Sequence, residues 1–221
     1  MGKFLPRSFT YLRYLDKEEM KALLLIDIQN DFIPGGALAV PEGDQIIPVV
    51  NQLQSQFDLV VATQDWHPEH HKSFASSHPG RNTFEKIDLD GLEQVLWADH
   101  CQQGSLGAQF APDLNLQKVE AIFRKGTDED IDSYSGFYDN GHRKNTGLTA
   151  YLRGRNISKV YLAGLAGDYC VYFSAKDALQ EGFTTFLIDD AIRAINDEDY
   201  QQAKTDIVQK GGKIITSKDL L

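Results

Sequence analysis

Val160-Tyr161-Leu162-Ala163-Gly164-Leu165-Ala166-Gly167-Asp168-Tyr169-Cys170 runs from a short β-rich apolar segment straight into a helical pattern. Beyond it Val171, Ala175, Ala178 and Leu179 recur at i, i+4, i+7 and i+8, the apolar stripe of an amphipathic helix. Cys170 therefore stands at or near a helix N-terminus, where unsatisfied N–H groups and the positive end of the dipole favour a thiolate, the nucleophilic form. A free cysteine is also commonly a small apolar filler, so it needs partners elsewhere before it counts as a nucleophile.

Working outward, residues 22–26 form a continuous apolar run that stops at Asp27, and residues 59–63 form another that leads into Gln64-Asp65-Trp66-His67. Residues 121–123 are followed at once by Arg124-Lys125-Gly126, and residues 184–188 and 213–216 complete the apolar runs. Between them the pattern predicts helices from about Asp44, bearing Ile46, Val49, Val50 and Leu53, and around 148–153. Another begins at an Asn196 N-cap, with Tyr200, Ala203, Ile207 and Val208 on one face. The connection 68–120 is long, is expected to hold helical fragments, and with His67 carries five of the six histidines. Strands without polar alternation, interleaved with helices, predict an α/β fold: a doubly wound, mostly parallel six-stranded sheet with helices on both faces. In such sheets ligands bind outside the carboxyl ends of the strands, and Asp27, Asp65, His67, Lys125 and Cys170 all lie just past a strand end.

The chain has 221 residues, enough for one sizeable core, and a single domain over 21–221 is expected, preceded by an N-terminal arm at 1–20. A formal net charge of −10 argues against nucleic-acid or anionic-membrane partners. Two cysteines imply no disulfide framework, and the charged N-terminus lacks the apolar core of a signal peptide, so a cytoplasmic location is expected.

Cys170, Asp27 and Lys125 suffice for acyl transfer: an ammonium favours thiolate, and a carboxylate takes the thiol proton and returns it to a leaving amine. Asp65, His67 and His100 suit zinc, iron or manganese with coordination positions left open, although spacing alone does not pair His100 with the other two. His71 is an additional ligand candidate or a supporting group, whereas His70, His78 and His142 read as surface histidines. Cys101 adjoins His100 too closely in sequence to share a metal comfortably.

The motifs Asp27-Ile28-Gln29-Asn30-Asp31-Phe32, Gln64-Asp65-Trp66-His67-Pro68, His100-Cys101-Gln102-Gln103-Gly104, Phe123-Arg124-Lys125-Gly126, Tyr134-Ser135-Gly136-Phe137 and Gly164-Leu165-Ala166-Gly167-Asp168-Tyr169-Cys170-Val171 resemble, in order, those of the nicotinamidases among the isochorismatase-like cysteine hydrolases. The resemblance implies hydrolysis of nicotinamide to nicotinate and ammonia, with activity on pyrazinamide. It implies Cys170 as nucleophile, Asp27 as proton carrier and Lys125 as the stabilising charge. One divalent metal, zinc first with iron or manganese as alternatives, would sit on Asp65, His67 and His100 and hold the pyridine nitrogen; no organic cofactor is implied. The oxyanion hole would be the N–H groups of Ala166 and Cys170 after a cis Leu165–Ala166 peptide, each such donor being worth roughly 3 kcal/mol. Phe32, Trp97 and Tyr134 match aromatic positions around the ring. A related cysteine amidohydrolase or isochorismatase-type hydrolase with another small substrate is the alternative, and homo-oligomerisation is left open. Gly167, where the family often has threonine, and Gln102, where valine is usual, bear on details of the pocket.

Overall fold

Apolar runs become strands wherever both of their faces can be covered, and the computed structural model, which describes residues 19–221, has eight. They are β1 (Met20–Ile26), β2 (Leu59–Asp65), β3 (Lys86–Leu89), β4 (Leu92–Val95), β5 (Val119–Lys125), β6 (Ile157–Gly164), β7 (Thr184–Ile192) and β8 (Lys213–Ile215). Six form one sheet in the order β5-β2-β1-β6-β7-β8, with every neighbouring pair parallel. The helices are α1 (Ile46–Leu53), α2 (Leu148–Gly154), α3 (Tyr172–Gln180) and α4 (Asp197–Gln209).

Alternation along β1 divides the core. Ala22, Leu24 and Ile26 pack with residues of α2, α3 and α4 on one face, while Leu23 and Leu25 pack with Ile46, Ile47, Val50 and Leu53 of α1 on the other. All five of these β1 side chains are fully buried, and each buried Leu or Ile contributes about 1.5–3 kcal/mol. Strand order reverses between β1 and β6, so their carboxyl ends, carrying Asp27 and the Leu165–Cys170 loop, flank the crevice where ligands bind.

The connection 68–120 departs from expectation. Among the described residues it holds no α-helix; it has one 3-10 turn, Ala75–Ser77, and the antiparallel hairpin β3–β4. Asp90-Gly91 turns that hairpin with φ of 51° and 84°, a pair of left-handed residues matched to strand twist, and four-residue strands are too short for their alternation to stand out. Val208 is another correction: it is 52% exposed, while Tyr200, Ala203 and Ile207 are buried and Asn196 caps α4 by accepting from the N–H groups of Glu198 and Asp199. Cys170 also precedes the helix proper. It lies in a single π-helical turn, Gly167–Val171, ahead of α3. Of the expected arm, residues 1–18 lie outside the described residues, and Met20 already belongs to β1. No helix among the described residues is long and apolar enough to cross a membrane.

Candidate active site

Register brings the ionisable groups together. Asp65 and Lys125 are paired neighbours on β2 and β5, and Ile26 pairs with Gly164, which sets Asp27 beside the loop that carries Cys170. Lys125 Nζ lies 3.0 Å from Asp27 Oδ2 and 3.0 Å from Asp65 Oδ1, donates to the Ser133 carbonyl at 2.8 Å, and stands 3.5 Å from Cys170 Sγ. Thr63 fixes the other side of Asp27: its hydroxyl donates to Oδ1 at 2.6 Å and accepts the Asp27 N–H at 3.2 Å. Asp27 Oδ2 is buried beside the ammonium without a directed hydrogen bond, so it is free to accept a thiol proton.

Burial opposes the Lys125 charge, but the Asp27 and Asp65 carboxylates outweigh it and hold the ammonium well above the ordinary lysine value. Burial raises Asp27, and Lys125 partly offsets the rise. Burial also pushes the Cys170 thiol well above its usual value; Lys125 pulls it down, while Asp27 and Asp65 push it further up. That modifies the expectation from the helix terminus. Burial and the two carboxylates thus disfavour the thiolate that the helix terminus and Lys125 favour.

The second group converges on one carboxylate oxygen. His67 Nε2 lies 3.0 Å and His100 Nε2 3.3 Å from Asp65 Oδ2. The remaining ring nitrogens face the carbonyls of Gly126 at 3.0 Å and Ala98 at 2.7 Å, which orients both rings with Nε2 inward. Three buried donors whose ligand atoms lie within 4.8 Å of one another fit a divalent metal of the zinc, iron or manganese type. Gly126 makes this possible: at φ 63° it approaches the ring so closely that a Cβ there would fall 2.4 Å from His67 Cε1. His71 is buried rather than superficial. It packs on His67 with ring centroids 4.3 Å apart, its nitrogens face Ser73 Oγ and the Ile131 carbonyl, and burial followed by the neighbouring His67 pushes it down to about 4. Cys101 is not in the donor cluster; its Sγ accepts from Gln29 Nε2 at 3.3 Å. His70 and His142 are exposed, and His78 is half-buried.

Phe32, Trp97 and Tyr134 line one cavity of about 30 Å³ with Asp65, His100, Ala166 and Cys170, room for about two waters. Sequence reasoning missed Leu38, Asp132, Tyr169 and Ile195 in the same wall. Leu38 and Ile195 carry no chemical signature, whereas Asp132, two residues before Tyr134, was a legible carboxylate. The Leu165–Ala166 peptide is cis. The N–H groups of Tyr169 and Val171 go to the Ala166 carbonyl and that of Gly167 to the Arg193 carbonyl; those of Ala166 and Cys170 take no part in these bonds.

Neither departure from the family pattern enters the cavity. Gln102 lines a surface groove with Glu69 and His70. Gly167 lies under the Tyr200 ring, where a Cβ would come within 2.9 Å of Tyr200 Cδ2 and 2.8 Å of Ile192 Cγ2. Gly167→Thr is therefore expected to cost about 1–3 kcal/mol of stability, read from the denaturation midpoint. In a double-mutant cycle with Tyr200→Leu the loss should be less than additive; strict additivity would show that the ring is not the obstacle.

A parallel sheet presenting a buried cysteine, carboxylate and ammonium at its switch point is the framework of a cysteine hydrolase. The isochorismatase domain model matches residues 21–219, and the chain belongs to that family. Within it the chain is 46% identical over 205 residues to the nicotinamidase of Escherichia coli, covering 90% of this chain and 96% of that one. A nicotinamidase/pyrazinamidase structure from Acinetobacter baumanii superposes with a TM-score of 0.90 at 48% identity, covering 93% of this chain and all of the other. A pyrazinamidase of Pyrococcus horikoshii in complex with zinc superposes with a TM-score of 0.74 at 40% identity, covering 89% and 99%.

Proposed function

We propose that this chain is an amidohydrolase that converts nicotinamide to nicotinate and ammonia through an acyl-cysteine intermediate, serving NAD salvage, and that it also deamidates pyrazinamide. One observation carries the reading: the Lys125 ammonium lies within 3.5 Å of Asp27, Asp65 and Cys170 beside a convergent His/His/Asp donor set, and Asp65, His100 and Cys170 of this cluster line one aromatic-walled cavity. Identity to nicotinamidases over nine-tenths of the chain supports the substrate.

In this reading Asp27 takes the thiol proton as Cys170 sulfur attacks the carboxamide carbon. The oxyanion is held by the N–H groups of Ala166 and Cys170, and Asp27 then protonates the departing amine, so ammonia leaves as the thioester forms. Asp27 next removes a proton from water, which attacks the thioester; nicotinate is released and the proton returns to sulfur. Lys125 holds Asp27 in place and offsets negative charge throughout. Phe32, Trp97 and Tyr134 flank the ring. Asp65, His67 and His100 would hold a divalent metal, zinc in the first instance, with iron or manganese as alternatives, supplying a Lewis-acidic anchor for the pyridine nitrogen. The enzyme would act as a single domain over 21–221 in the cytoplasm, on small molecules rather than nucleic acid or membrane.

The test is ammonia release from nicotinamide, pyrazinamide and a non-pyridine amide, with bound metal quantified in the same preparation. Chelation is expected to lower turnover of both pyridine-type substrates at least about tenfold, and added zinc to restore it. A metal-free preparation with full activity would remove the anchoring role, and hydrolysis of only the non-pyridine amide would overturn the substrate.

A further inference from the structure

Three consecutive residues, Asp132, Ser133 and Tyr134, each serve the cavity: a wall carboxylate, the carbonyl that receives Lys125, and a wall ring. Besides Lys125, a side chain of the hairpin ties this segment down. Gln94, on strand β4 of the hairpin, is 2% exposed, and its Nε2 lies 2.9 Å from Asp132 Oδ2, 3.2 Å from the Tyr134 hydroxyl and 2.7 Å from the Val95 carbonyl. The hairpin forms a sheet of its own, apart from the main one. Trp97, just beyond β4, stands edge-on to Tyr134 with centroids 6.2 Å apart, so Gln94 and Trp97 bear on the hydroxyl and the ring of the same tyrosine.

We propose that Gln94 is a positioning residue for the pyridine ring, acting through Tyr134 and Asp132 to fix where this wall of the cavity stands. It touches neither the nucleophile nor the proton carrier. The inference rests on the reading of this cavity as a pyridine pocket. Gln94→Leu removes the donors at nearly constant volume, leaving the Asp132 carboxylate and the Tyr134 oxygen without their shared partner. Gln94→Glu keeps the shape and sets a second carboxyl against Asp132.

The experiment compares wild type, both variants and Leu96→Ala, a core truncation on the same segment, by nicotinamide kinetics, calorimetric binding of nicotinate and thermal unfolding. Both Gln94 variants should raise KM and weaken nicotinate binding on the order of tenfold, with kcat changed less than about threefold. Leu96→Ala should lower the melting temperature and leave KM alone. KM and nicotinate affinity within twofold of wild type in either folded Gln94 variant, a loss confined to kcat, or an equal rise of KM in Leu96→Ala would each overturn the proposal. Wild type that binds nicotinate without hydrolysing nicotinamide would overturn the proposed reaction and leave the binding comparison as the test of Gln94; wild type that binds no nicotinate would overturn both.

Discussion

Cys170→Ala is expected to lower kcat/KM for nicotinamide by more than about 10⁴-fold while the protein stays folded. The sulfur is the atom that would bond to the substrate carbon, and the positioning groups and backbone donors left behind cannot replace that bond. Loss of one small side chain at the edge of the core costs little in stability by comparison. Cys101 offers no substitute: it is fully buried and burial drives its thiol well above the ordinary value. Ammonia release measures the effect, and a variant retaining a tenth of wild-type activity would remove Cys170 from the chemistry.

Lys125→Met should damage both activity and folding. In the native protein one buried ammonium answers two buried carboxylates, Asp27 and Asp65, each at 3.0 Å. Methionine fills the space of the stem and leaves both carboxylates without their cation. Removing one partner of such a buried set typically costs 3–5 kcal/mol, roughly 6–20 °C in melting temperature for a chain of this size. The metal-free form is the one to unfold, since bound metal would compensate Asp65. A melting temperature within 2 °C of wild type would mean that the carboxylates are protonated or solvated, contrary to the structure.

The strands were legible because the central ones, β1, β2 and β6, are covered on both faces and carry continuous apolar runs, as residues 22–26 do. Their polar stops, Asp27, Asp65 and Lys125, are legible for the same reason, and the strand-end rule gathers them at one edge of the sheet. The hairpin β3–β4 was not, because its strands have four residues each and only Asp90-Gly91 marks the turn. With it went Gln94, an ordinary polar residue whose importance lies in being buried, which sequence does not display. Only five residues of the nine-residue β7 show in sequence, because its apolar run ends at Ile188, although the strand continues to Ile192. The Cys170 sulfur is another case: a helix terminus and a nearby lysine argue for thiolate, whereas burial next to two carboxylates, which sequence does not display, raises the thiol.

The cavity behind Tyr169 holds about 30 Å³, against the few hundred typical of a ligand pocket. Trp97 and Tyr134 both contact the Tyr169 ring, at centroid distances of 4.8 and 5.4 Å, so the wall is a linked set of aromatic rings. A substrate ring bound there packs against that linked set. Because each of the three rings leans on the other two, a substitution at one is passed to its neighbours. In the proposed reaction the same rings would flank the acyl-cysteine and limit the approach of external amines and thiols that would otherwise intercept the thioester.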